Sequence, residues 1–303
     1  MMKKEKAKGN IVSSANKNLE NHNVSMGNQL VRGSHNLSLN EKRIIAACMS
    51  MIDSRNEIFN ETYKVNIYRL YAKDFADLYE LGIKNAYTQI KDGISSLVNR
   101  TGRLFDKSKN QIITFNWIDF SIKSNNSDGY IDVAFGAVVR EYLFELKSEY
   151  TSYKLINTVC FKSVYTWRVW ELLQSYKLKY NNKKLTSEMT PEHKAAFEKK
   201  MIHKYGLPNC WKVIDERNDE ITRGRNLPNR YLVTLDDFRF QLSIPESYRW
   251  QDIKKQCIER AISEFKKSLN IEMTYKVYKS GRSVTAIDFQ WKKFEQLDFI
   301  DDE

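Results

Sequence analysis

Arg249–Trp291, RWQDIKKQCIERAISEFKKSLNIEMTYKVYKSGRSVTAIDFQW, decides the fold. It opens as an amphipathic helix. Ile253, Cys257, Ile258, Ala261, Ile262, Phe265 and Leu269 recur at helical spacing on one stripe. At about 3.6 residues per turn, the other face carries Asp252, Lys255, Gln256, Glu259, Arg260, Ser263, Lys266 and Lys267. Lys254 projects into the apolar stripe, a place it can hold only by snorkelling outward from the first turn. Met273, Tyr275 and Val277 then alternate along one strand, Ser280-Gly281 marks a tight turn, and Thr285, Ile287, Phe289 and Trp291 alternate back. A polar-faced helix followed by a basic-tipped hairpin is the outline of a winged helix reading DNA. A merely solvated helix shows the same charged face.

The segment before it separates the two readings. Tyr231–Thr234 is expected as a short strand and Leu235–Leu242 as a short helix, with Thr234 as N-cap and Asp236 and Asp237 in its first turn. Pro245 stops that helix and pushes Ile244 out of the helical region. The order is strand, short helix, turn, long helix, hairpin.

The same order occurs earlier. Ser38 and Glu41 form a capping-box pattern before a helix whose buried stripe is Ile44, Ile45, Cys48, Met49 and Ile52. Tyr63–Tyr68 alternates as a strand, and Leu70–Leu81 holds a short helix ended near Gly82. Lys84–Asn99 is a second amphipathic helix, with Tyr87, Ile90, Ile94, Leu97 and Val98 inward and Asn85, Thr88, Gln89 and Asp92 outward. A hairpin follows from Arg103–Phe105, through the polar turn DKSKN, to Gln111–Trp117. The halves share no detectable sequence identity, so the repeat is one of supersecondary structure. The expected fold is α+β, two tandem winged-helix domains in a pseudo-two-fold relation, able to lie in major grooves about one turn (~34 Å) apart.

The expected boundaries are a disordered basic arm over 1–27, a first winged-helix domain over 28–147, a second over 148–293 and an acidic tail over 294–303. Gly129–Phe135 is a further strand and Val138–Leu146 a short helix. Ser163–Lys177 is a strong helix centred on Val164, Trp167, Trp170, Glu171, Leu172 and Leu173, its tryptophans serving core packing. The charged, irregular stretch over about 179–230, with a helix at Pro191–Lys204, is expected as an insertion in the second domain.

The 303 residues carry 49 Lys+Arg against 38 Asp+Glu, a net charge of +11, which favours nucleic acid or another anionic partner. No apolar run approaches the ~20 residues needed to span a bilayer, and the basic N-terminus lacks a signal-peptide core; a cytoplasmic protein without membrane association is expected. Cys48, Cys160, Cys210 and Cys257 lie far apart, and the four histidines are scattered. No metal knuckle, HExxH pattern or Walker loop is present. Neither an enzyme nor a cofactor or metal is expected.

Four stretches carry a resemblance to a known family. NQLVRGSHNLSLNEKRIIAACM, from Asn28, resembles the opening of the first domain in iteron-plasmid replication initiators of the RepE/RepA/π type. YTWRVWELLQSYK, from Tyr165, is similar to that family's second-domain opening helix, DIKKQCIERAISEFKKSLNIEMTY, from Asp252, to its recognition helix and following strand, and GRSVTAIDF, from Gly281, to its wing. The resemblance spans about Asn28 to Trp291, with Lys179–Arg230 departing from it. It implies two winged helices, sequence-specific binding to repeats at a plasmid origin, recruitment of host replication initiator and helicase machinery, strand opening without catalysis, a monomer–homodimer equilibrium, and repression of the initiator's own promoter. The alternative is a winged-helix transcriptional regulator without an initiation role.

The candidate DNA contacts follow from side-chain chemistry. In the second domain Arg249, Lys255, Gln256, Glu259 and Arg260 face base edges or nearby phosphates, since Arg forks to guanine, Gln pairs with adenine and Glu accepts from cytosine. Lys266, Lys267, Lys279 and Arg282 are the phosphate holders. In the first domain the set is Asn85, Thr88, Gln89 and Lys91, with Arg103, Lys107 and Lys109 on the hairpin.

Overall fold

In the computed structural model the described residues are 11–15, 17–53, 65–106, 110–123, 129–144, 146, 149–176, 191–192, 195–196, 199 and 229–293. The first unit comprises β1 (Ile11–Ser13), β2 (Asn23–Gly27), α1 (Asn28–Arg32), β3 (Ser34–His35), α2 (Leu39–Met49), β4 (Ile67–Tyr71), α3 (Ala72–Tyr79), α4 (Ile83–Leu97), β5 (Thr101–Asp106), β6 (Gln111–Asn116), β7 (Ile118–Lys123), β8 (Tyr130–Phe135), α5 (Ala137–Glu141), β9 (Tyr150–Lys154), α6 (Ile156–Val159) and α7 (Val164–Tyr176). The second comprises β10 (Asn229–Thr234), α8 (Leu235–Leu242), a long helix α9, β11 (Ile271–Ser280) and β12 (Ser283–Lys293). Helix α9 is built of Trp250–Ile253, a π-helical turn Lys254–Glu259, and Arg260–Leu269.

Both expected repeats form. In the first unit they are β4, α3, α4 and the β5–β6 hairpin, and in the second β10, α8, α9 and the β11–β12 hairpin. The local signals act as their chemistry requires. Ser38 Oγ accepts from Glu41 N–H while the Glu41 carboxylate accepts from Ser38 N–H, and Thr234 Oγ1 accepts from Asp237 N–H. The short helix of each unit ends on a left-handed residue, Glu80 or Ser243, which turns the chain into the long helix.

The repetition also reaches a buried ion pair. Arg69 on β4 forks to Asp132 on β8 at 2.7 and 2.8 Å, and Arg230 on β10 forks to Asp288 on β12 at 2.8 and 2.7 Å. Both carboxylates are buried, so each fork fixes the strand that feeds its short helix.

Among the described residues the second unit holds one three-stranded sheet, order β10-β12-β11, with its helices packed by Phe238, Ile253, Cys257, Ile258, Ala261 and Phe265 against Tyr231, Ile287 and Phe289. Each of the isoleucine and phenylalanine side chains contributes about 1.5–3 kcal/mol on burial. The first unit holds a four-stranded sheet β1-β4-β8-β7, a three-stranded sheet β3-β5-β6 and the pair β2-β9. In the β5–β6 hairpin Gly102 lies opposite Phe115, and a Cβ there would sit 2.2 Å from the Phe115 ring.

The structure corrects several expectations. The described residues of 11–27 are not a disordered arm: β1 pairs in parallel with β4, β2 pairs with β9, and Val24 and Met26 are buried. The partners lie far along the chain, where local periodicity gives no warning. The division between units falls after Ser175, not near Lys147. Strand β9 and helix α7 therefore belong to the first unit, because Tyr153, Trp167, Arg168 and Glu171 are buried within it and β9 completes the β2 pair.

Helix α5 stops at Glu141, well short of Leu146. Strand β4 starts at Ile67, and β10 takes in Asn229 and Arg230 from the stretch assigned to the insertion. Val98 is exposed rather than inward. Most of 179–230, the tail 294–303, residues 1–10 and the strand positions Tyr63 and Lys64 lie outside the described residues.

Helix α7 is held by a buried polar network. Lys42 Nζ and Arg168 lie 2.7 and 2.9 Å from the two oxygens of Glu171, with side-chain exposures of 1%, 1% and 0% respectively. Tyr153 Oη donates to Glu171 at 2.7 Å, and Trp167 Nε1 donates to Tyr153 at 3.1 Å. Arg168 also donates to the carbonyls of Val31 and Gly33. Burial alone raises the Glu171 pKa, but Lys42 and Arg168 hold it below the usual carboxylate value.

Candidate nucleic-acid interface

The face that helix α9 shows to solvent is set by how its other face packs. The positions 253, 257, 261, 265 and 269 repeat every four residues. On a regular α-helix such a stripe drifts by about 40° per step. The π-helical turn Lys254–Glu259 widens the winding there, and Ile253, Cys257, Ile258, Ala261 and Phe265 all reach the core. Lys254 is thereby moved off the apolar stripe, and its ammonium lies 3.4 Å from Glu259, five residues on. An i,i+5 pair suits a turn wound with i→i+5 bonds.

The start of α9 is anchored from two sides. The Asp252 carboxylate accepts from Arg249 N–H at 2.9 Å. Arg239, on α8, donates to the carbonyls of Pro245 and Tyr248, which ties the intervening turn down. Arg239 is a positioning residue that the sequence pattern does not reveal, since a charged residue on a short helix reads as solvated.

Arg249, Lys255, Gln256, Glu259, Arg260, Lys266 and Lys267 are all exposed, and all lie on α9 or its N-cap. Two of them are already engaged: Glu259 by Lys254, and Arg260 by Glu264 at 3.0 Å. The Glu259 carboxylate is thus accompanied by a cation that offsets its charge. Lys279 and Arg282 are exposed at the tip of the β11–β12 hairpin, where Gly281 takes φ of +58° to close the turn.

In the first unit the helix at the equivalent place in the repeat is α4. Ala86, Ile90, Gly93, Ile94 and Leu97 face inward, leaving Asn85, Thr88 and Lys91 exposed and Gln89 half-buried. Gln89 Nε2 donates to Asn85 Oδ1 at 3.1 Å and the Thr88 hydroxyl donates to the Lys84 carbonyl at 3.1 Å. This face is preorganised but partly self-satisfied. Arg103 is exposed on β5; Lys107 and Lys109 lie outside the described residues.

Cys48 and Cys257 are core thiols, and burial pushes both up to about 12. No group of His, Cys, Asp and Glu among the described residues is arranged to hold a metal ion. No helix among them is long and apolar enough to cross a membrane.

Two family descriptions match this chain: "Initiator Replication protein, WH1" over residues 23–174 and "Initiator Rep protein, WH2" over residues 234–291. The chain belongs to the initiator replication protein family, with a winged helix in each of its two units. The first match ends one residue before the first unit does, so YTWRVWELLQSYK closes the first winged-helix domain rather than opening the second.

Among solved structures, the Pi initiator protein in complex with iteron DNA aligns with a TM-score of 0.61 at 16% identity, covering 91% of this chain and 99% of that one. The WH1 domain of MSBI1.176, a replication protein isolated from a multiple sclerosis patient, is 17% identical over 33% of this chain and 72% of that one, with a TM-score of 0.27 that carries no argument. No curated protein matches.

Proposed function

We propose that this protein is a plasmid replication initiator that binds repeated sites in double-stranded origin DNA through both winged helices. The observation that carries the reading is the solvent face of α9, where Lys255, Gln256, Lys266 and Lys267 stand clear of the core beside a hairpin tipped by Lys279 and Arg282. Cationic and amide side chains on one helix face, next to a basic hairpin, suit base edges and phosphates together. Asn85, Thr88, Gln89, Lys91 and Arg103 are the equivalent set of the first unit, with Lys107 and Lys109 assigned from sequence. The protein acts in the cytoplasm, engages host replication initiator and helicase machinery, exchanges between monomer and homodimer, and represses its own promoter. It opens DNA by binding and not by strand cleavage.

Footprinting the purified protein on DNA flanking its own gene tests the reading. Protection repeated at a regular spacing supports an initiator. Protection of one isolated palindrome points instead to a transcriptional regulator. A metal-dependent nick in supercoiled origin DNA would overturn the non-catalytic assignment.

A further inference from the structure

The two hairpins that follow the two reading helices differ in what they offer to solvent. On β11 and at the adjoining tip the exposed positions include Glu272, Thr274, Lys276, Lys279, Ser280 and Arg282, all polar or charged. On the β5–β6 hairpin Gly102, Leu104 and Phe115 point inward, so the alternate residues point out. Among these, Phe105 and Ile112 are paired directly across the strands and are 44% and 58% exposed. The rest of that face is Thr101, Arg103, Thr114 and Asn116, with one cation and no carboxylate.

A hairpin that only held phosphates would gain nothing from two large apolar side chains kept in water. Their pairing on a neutral-to-cationic face suits a polyanion whose interior is apolar, and stacked bases are such an interior. We propose that Phe105 and Ile112 form an apolar wedge that enters the minor groove of duplex DNA beside the α4 contact and unstacks a base step there. The inference rests on the DNA-binding reading above. The first hairpin would then deform DNA while the second holds it, and flexible pyrimidine–purine steps would be favoured at the wedge without any hydrogen bond to a base.

Because β6 is the edge of its sheet, a second copy of this chain is the rival occupant. The test uses the full-length protein and the double variant Phe105→Thr, Ile112→Thr, both threonines being suited to a strand. Each is bound to a duplex containing the footprinted repeat, and the complexes are probed by permanganate reactivity of thymines, affinity against salt, and sedimentation.

The wedge predicts reactive thymines in the parent complex, their loss in the double variant, and about tenfold weaker binding. The slope of log affinity against log salt stays unchanged, because no phosphate contact is removed. Reactive thymines that persist in the double variant overturn the wedge, as does a parent complex with none. A variant that sediments as a monomer where the parent is a dimer assigns the pair to self-association instead. A parent that binds no repeat at all removes the DNA-binding reading itself, an outcome distinct from the others.

Discussion

Glu171 is shared by Lys42 and Arg168 with no exposed surface on any of the three beyond 1%. Two cations around one carboxylate leave an excess positive charge inside the first unit, and burial together with Arg168 lowers the Lys42 pKa even though Glu171 raises it. The members are therefore unequal. Glu171→Gln leaves two buried cations unpaired and is expected to cost about 3–5 kcal/mol in urea unfolding. Lys42→Met leaves the Arg168–Glu171 pair balanced and is expected to cost less than half as much. His35, edge-on to Trp117 at 4.9 Å, has its pKa held well below 6.5 by burial first and then by Arg168 and Lys42. The unfolded chain takes up a proton there near pH 6.5 and the folded chain does not, so acid favours unfolding. Stability should fall by up to about 1.4 kcal/mol per pH unit below that point. His35→Gln should remove this part of the fall, measured by urea midpoints near pH 7.5 and 5.5. Glu41 and Glu171, both held below 4.5, add a second loss as the pH drops through the carboxylate range. On the DNA side, Lys255→Ala or Gln256→Ala should cost about 1–3 kcal/mol per lost base contact while leaving stability unchanged. Equal affinity for the repeat would remove that face of α9 as the reading surface.

The elements show which signals a sequence carries and which it hides. Strict alternation and helical spacing mark the two hairpins and the two long helices before them, and the caps at Ser38 and Thr234 stand where side-chain chemistry places them. Thr234→Ala should lower stability by about 0.5–2 kcal/mol through the lost bond to Asp237 N–H, read as a shift in thermal midpoint. The π-helical turn was foreshadowed only by the misfit of Lys254, because a stripe at four-residue spacing looks like an ordinary amphipathic helix. Strands β1, β2 and β9 were hidden because their partners are distant: Val24 pairs with Tyr153, and Ile11 with Ile67. Lys42 and Arg168 were hidden for a related reason. Charged residues on helices default to solvent, and the carboxylate that satisfies Lys42 lies far along the chain. At the candidate interface the exposed positions were legible from the helical projection, whereas the pairing of Glu259, Arg260, Asn85 and Gln89 with their neighbours was not.

At the scale of the whole molecule, the net charge of +11 and the proposed engagement of DNA by both winged helices predict binding dominated by phosphate neutralisation. If six to ten phosphates are contacted, affinity for the repeat should fall about 10³–10⁵-fold between roughly 50 and 200 mM salt. A flat salt dependence would be incompatible with both units engaging the duplex. The boundary after Ser175 also bears on how such chains can be recombined. A crossover placed after Ser175 would hand over a complete second unit and leave the recipient's interior electrostatics whole. One placed at 147 would deliver a foreign β9 and α7, so that Lys42 meets whatever residue the newcomer carries at the position of Glu171. Hybrids of the first kind should fold and exchange repeat preference, and those of the second should survive only where the incoming helix brings its own acid.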